Sequence, residues 1–130
     1  MRDFSLLILT NKNPIFYQIM GDKLANKEIA DQLDRPMWDE DNKVWFILLS
    51  TEKAEFMGCS AIKFDFNQDK AYFKSGYVKP AFRNNGLYSF LIERGLKYIK
   101  NKTDFTKIIS SVTSMSETIY KKFNFTPCGT

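Results

Sequence analysis

The stretch Tyr77–Ile99, YVKPAFRNNGLYSFLIERGLKYI, decides how this chain folds. It opens apolar, breaks at Pro80, and runs through Arg83, Asn84, Asn85 and Gly86 directly into an amphipathic segment. Leu87, Phe90, Leu91, Tyr98 and Ile99 fall on one stripe at helical spacing, which predicts a helix from Leu87 to near Asn101. The residues before the break, AYFKSGYVK from Ala71 to Lys79, read as a strand. The polar knot therefore lies where a strand becomes a helix.

That position has chemical consequences. The first turn of a helix leaves backbone N–H groups without partners, and the helix dipole adds partial positive charge there. An anion placed at that point satisfies both. Gly86 lets a ligand approach the backbone with no Cβ in the way. Asn84 and Asn85 tolerate left-handed and turn conformations, and Arg83 offers a fixed charge with forked donors. These are the parts of a phosphate cradle. A plain loop whose Asn residues cap the helix accounts for the same residues, and on spacing alone it is the commoner outcome.

Working outward, FSLLILT (Phe4 to Thr10) predicts a first strand, and the apolar residues between Pro14 and Leu33 recur at helical intervals around Gly21, giving one or two helices. KVWFILLST (Lys43 to Thr51) is apolar on both faces and reads as a central strand. EFMGCSAIKFDF (Glu55 to Phe66) follows after a short turn as its hairpin partner, with Phe56, Gly58, Ser60, Ile62, Phe64 and Phe66 expected on one face. KIISSVT (Lys107 to Thr113) is a further strand. SMSETIYKKF predicts a short helix, with Ser114 and Glu117 in a capping-box pattern, and FTPCGT begins a last strand. Consecutive strands joined by short turns pair antiparallel, whereas strand–helix–strand passages favour parallel crossovers. The order β, α(α), β, β, β, α, β, α, β thus describes one α/β domain over residues 1–130 built on a mixed sheet.

Composition narrows the chemistry. With 44% hydrophobic and 26% charged residues, the chain is ordinary for a globular domain. No apolar run approaches the roughly 18 residues of a membrane span, and MRDFSLLILT reads as a first strand and not as a secretory signal. The net charge of +4 is spread along the chain, with no basic block of the kind that tracks nucleic acid. Cys59 and Cys128 stand alone, so neither a metal site nor a disulfide framework is expected, and a reducing, cytoplasmic setting is the simple inference. The chain has no histidine, which removes Ser-His-Asp triads, Cys-His pairs and His-ligated metals together. Proton transfer must use carboxylates, Tyr, Lys, Cys, backbone or water.

The knot also resembles motif A of the GNAT superfamily of N-acetyltransferases, R/Q-x-x-G-x-G/A. Here it reads Arg83-Asn84-Asn85-Gly86-Leu87-Tyr88. Arg83 and Gly86 match, and Tyr88 departs, since the family prefers Gly or Ala. A second match lies downstream: in SETIYKKFNF, Tyr120, Lys122 and Phe125 align with the family's Y-x-K-x-G-F ending, with Asn124 in place of Gly. The Asn that the family carries at the start of this helix falls on Thr113, beside Ser114.

The resemblance implies a mixed, mainly antiparallel central sheet with a splayed parallel strand pair and flanking helices, and acetyl-CoA as cofactor. It places the pyrophosphate on Arg83, Asn84, Asn85, Gly86, Leu87 and Tyr88, the pantetheine arm on the backbone of Tyr77 and Val78, and a further cofactor contact at Ser114. It implies direct attack of a primary amine on the thioester, with an N–H near Val78 holding the oxyanion and Tyr120 protonating the departing thiolate. The acceptor amine is not legible. WDED (Trp38 to Asp41) carries acidic groups that could draw in a cationic amine. Two other readings stay open: a module of the same fold that binds CoA without turnover, and a nucleic-acid-directed member. Because the chain ends at Thr130, soon after its last strand begins, completion of that strand by a second copy in a homodimer is a further expectation.

Overall fold

The computed structural model describes residues 3–33, 37, 39–105 and 107–110. The elements among them are β1 (Phe4–Leu9), α1 (Ile15–Met20), α2 (Lys27–Leu33), β2 (Lys43–Ser50), β3 (Phe56–Asp65), β4 (Lys70–Val78), α3 (Leu87–Lys102) and β5 (Lys107–Ser110), with a 3-10 turn at Pro80–Phe82. The helix and strand expected beyond Thr113 lie outside the described residues.

The five strands form one sheet in the order β1-β2-β3-β4-β5. The first four pair antiparallel, and β4 and β5 pair parallel, joined by the α3 crossover. This is the mixed α/β sheet with flanking helices that the element order implies. β2 lies inside the sheet, and Lys43 through Leu48 are all buried, which is why its sequence runs apolar without alternation.

Each face of the sheet has its own core. Phe46, Leu48, Ile62, Phe73 and Val78 pack with Leu87, Leu91 and Ile99 of α3. Trp45, Ile47, Cys59, Ala61 and Tyr77 pack with Phe16 and Met20 of α1 and Ile29 of α2. α3 lies close against the sheet at Gly95, where a Cβ would lie 2.5 Å from the Phe73 ring.

One expectation is corrected. Phe56 does not share a face with Ile62 and Phe64. It packs on the α1/α2 side with Cys59 and Ala61, while Met57 joins Ile62 and Phe64 under α3. The reason is a bulge: Leu48 pairs with Gly58 and Leu49 with Phe56, leaving Met57 as an extra residue. β4 carries a second irregularity a few residues further along β3, opposite Ser60. Cys59 pairs with Tyr77 but Ala61 with Lys74, so β4 holds one residue more than β3 over this interval, and Ser75 there adopts φ 55°. The alternation of β4 reverses at that point. Tyr77 faces the α1/α2 core and Val78 faces α3.

Candidate functional site

Downstream of the β4 bulge, Tyr77 and Val78 form the end of the strand next to the motif loop. The Lys79 N–H donates to Met57 O at 2.9 Å, so Lys79 addresses β3. Successive residues of a strand turn their backbone groups to opposite edges, which points the N–H and C=O of Val78 away from β3. On that side, the pairing of β4 with β5 runs from Lys70↔Lys107 to Phe73↔Ser110 among the described residues. The backbone beyond Phe73 is the part of β4 next to the motif loop.

The loop itself is compact. Phe82 N–H donates to Lys79 O at 2.9 Å and Arg83 N–H to Pro80 O at 3.3 Å, which closes the turn after Pro80. Asn84 then takes φ 67° and Gly86 φ 76°, while Arg83 stays at φ −73° and Asn85 is not among the residues at positive φ. Positive φ on either side of Asn85 turns the chain sharply from the loop into the start of α3. The Asn85 side chain donates to Phe82 O and Arg83 O, each at 3.3 Å. It therefore holds the loop together and does not cap the helix. Gly86 is the N-cap residue of α3, and no side-chain hydrogen bond caps that end. A Cβ built on Gly86 meets nothing within 4 Å among the described residues. The 16-residue helix thus starts at a glycine with no described side chain over it, and a helix start of this kind can take an anion.

The side chains of the motif point elsewhere. Arg83 Nε donates to Val78 O at 2.8 Å, and its Nη2 donates to Gln32 Oε1 of α2. The guanidinium carbon stands 5.8 Å from the centre of the Tyr77 ring. Gln32 also hydrogen-bonds the Tyr77 hydroxyl, whose pKa is raised chiefly by burial. Tyr88 does not stand in front of the loop. Its phenol folds back onto β4, and a Cβ on Gly76 would collide with the Tyr88 hydroxyl and ring. Leu87 is buried in the α3 core. Ser114 and Tyr120 lie outside the described residues.

The acidic connection is also engaged. Asp39 accepts hydrogen bonds from Asn11 Nδ2 at 2.8 Å, the Tyr17 hydroxyl at 2.9 Å and Trp45 Nε1 at 3.1 Å. This tie raises the Tyr17 pKa. Glu40 pairs with Lys63 at 2.8 Å, which lowers the pKa of its carboxyl. Two of the three carboxylates in WDED thus anchor the connection between α2 and β2, and Trp38 lies outside the described residues. Cys59 is fully buried, and burial pushes its thiol up to about 12, so it is a core residue without nucleophilic character.

A cavity of about 540 Å³ lies at the far end of α3, lined by residues that include Lys12, Asp41, Phe66 and Lys102. It shares no residue with the motif loop. No group of His, Cys, Asp and Glu among the described residues could hold a metal ion. No helix among them is long and apolar enough to cross a membrane.

The role of Gln32 was not visible in the sequence. It is one polar residue on a short helix, 51 positions from Arg83, and no periodicity or spacing marks such a partner.

Known proteins share this architecture. The structure superimposes on an acetyltransferase from Trypanosoma brucei with a TM-score of 0.70 at 18% identity, covering 98% of this chain and 96% of that one. A predicted acetyltransferase from Clostridium acetobutylicum, solved with acetyl-CoA, gives 0.72 at 17% identity, with 95% and 90% covered. The spermidine N-acetyltransferase of Vibrio cholerae, solved with CoA and spermine, gives 0.72 at 14% identity, with 98% and 83% covered. At these identities the likeness shows the fold. No curated protein sequence matches. The model of the acetyltransferase (GNAT) family matches residues 13–125, a span that holds both the loop of Arg83–Gly86 and the Tyr120 segment, and this chain belongs to that family, whose members use acetyl-CoA.

Proposed function

We propose that this protein is an acetyl-CoA-dependent N-acetyltransferase that acetylates a primary amine within a ternary complex. The observation that carries the reading is the loop at the start of α3: positive φ at Asn84 and Gly86, and, among the described residues, no side-chain cap on the helix and nothing within 4 Å of a Cβ at Gly86. Acetyl-CoA supplies the activated acyl group as a thioester. The backbone of Asn84 to Tyr88 offers the donors for its pyrophosphate, and Tyr77 and Val78 offer strand backbone for the pantetheine arm. The Val78 N–H, directed to the edge away from β3, steadies the oxyanion of the tetrahedral intermediate in this reading. Tyr120 serves as the acid that protonates the leaving thiolate, and Ser114 completes the cofactor contacts at the start of its helix. The acceptor must lose a proton before it attacks, since a free primary amine has a pKa of about 10.

Thermal melting with acetyl-CoA tests the cradle. At about a hundred-fold excess over Kd, the wild type should gain roughly 5–10 °C. Gly86→Glu, which places a carboxylate where the phosphates belong, should gain nothing. Equal responses of the two proteins would overturn the loop assignment. Thiol release with an amine panel that includes spermidine and an aminoglycoside then separates turnover from binding. Turnover should fall in Tyr120→Phe, and acetyl-CoA binding without thiol release from any amine counts against catalysis.

A further inference from the structure

We propose that Gln32 is a positioning residue which, through Arg83, holds the Val78 end of β4 and ties the cofactor loop to α2. The inference rests on the acetyltransferase reading above and assigns Arg83 a different task from phosphate contact.

A guanidinium is planar, with donors in a fixed fork. Two directions of that fork are occupied. Nε holds the Val78 carbonyl at 2.8 Å, and Nη2 holds the Gln32 side-chain oxygen. Tyr77 covers the group from one side, with its ring centre 5.8 Å away. The Gln32 amide also meets the Tyr77 hydroxyl, so α2 and β4 both close on one cation. The Val78 carbonyl and the Val78 N–H flank the same Cα. Fixing the carbonyl limits the rotation that would turn the N–H away from the edge opposite β3.

The link matters at its other end as well. α2 is only seven residues long, with Ile29 buried and Leu33 partly buried against the core. A helix with two such apolar contacts takes part of its position from its polar ties. α2 belongs to the segment between β1 and β2, so the Arg83–Gln32 bond joins that segment to the loop that starts α3.

Isothermal titration with acetyl-CoA over a series of NaCl concentrations tests this. Gln32→Leu and Arg83→Met should each weaken binding about ten-fold, as loss of a charge-assisted hydrogen bond does. The double variant should also lose about ten-fold, not the hundred-fold expected of independent sites. Gln32→Glu keeps an oxygen for the guanidinium and should stay within about three-fold of wild type. The slope of log Kd against log salt in Arg83→Met should match wild type, because no charge is withdrawn from a phosphate. A flattened slope in Arg83→Met with full affinity in Gln32→Leu would show a phosphate contact and overturn the proposal. Losses that simply multiply would overturn it too. If the unaltered chain binds no acetyl-CoA, the failure belongs to the acetyltransferase reading itself.

Discussion

Gly76 and Tyr88 compete for one space. Tyr88 departs from the small residue usual at its motif position, and the departure is accommodated on β4, where the absence of a side chain at Gly76 makes room for the phenol. A methyl group at Gly76 would meet the ring well inside contact distance, so Gly76→Ala should cost roughly 1–3 kcal/mol by overpacking. Tyr88→Ala removes the obstacle. The double variant should therefore be more stable than the sum of the two single losses by more than about 0.5 kcal/mol, as read from urea unfolding. Additive losses would mean that the two residues do not share the space. The sequence raised the question of Tyr88 but held no means of answering it. Where an aromatic ring turns depends on which neighbour has left a gap, and Gly76 stands twelve positions upstream on another element. Arg83 was legible as a charge at the right place, yet its direction is set by Gln32 and the Val78 carbonyl, which no local pattern encodes.

At the scale of elements, α3 is the piece that the sequence described best. Its apolar stripe predicts a helix from Leu87, and the helix begins there, because Gly86 at φ 76° ends the loop at a conformation few other residues accept. Gly95 within it has another purpose. In an exposed helix, replacing Gly by Ala stabilises by up to about 1 kcal/mol. Here the added methyl would press on the Phe73 ring and on Ile62. Gly95→Ala should therefore destabilise by roughly 1–3 kcal/mol, reversing the usual sign. A rise in the urea midpoint would show instead that α3 can lift from the sheet without loss. The hairpin of β2 and β3 was equally legible as an element, but the face assignment within β3 was not. Strict alternation puts Phe56 with Ile62, and the extra residue at Met57 breaks that count. A bulge leaves little mark on hydrophobic pattern when both faces of a strand are buried, as they are here.

At the scale of the whole molecule, the charge at Lys43 links stability to pH. Its side chain is 2% exposed, lies 4.8 Å from the Trp45 ring centre and 4.0 Å from a Glu40 oxygen. Burial lowers its pKa from 10.5 to about 8, against the pull of Glu40. The folded chain then gives up this proton near pH 8, while the unfolded chain keeps it to its ordinary value. Between those limits the unfolded state binds more protons, so stability rises with pH. Urea unfolding at pH 7.5, 9 and 10 should show wild type gaining on Lys43→Met by at most roughly 3 kcal/mol. Identical pH dependence in the two proteins would remove Lys43 as the cause. The two cores respond to a different kind of change. Because β4 reverses its alternation at Ser75 and Gly76, the strand behaves as a counter whose parity must stay odd. Removing one residue there would send Tyr77 toward α3 and Val78 toward α2, exchanging the lining of both faces while every amino acid downstream kept its identity. A one-residue deletion in the turn at Asn67–Asp69 carries no such penalty. This architecture should therefore accept changes of length at its turns and refuse them at the bulge, a rule of inheritance written into the backbone and independent of the chemistry of any side chain.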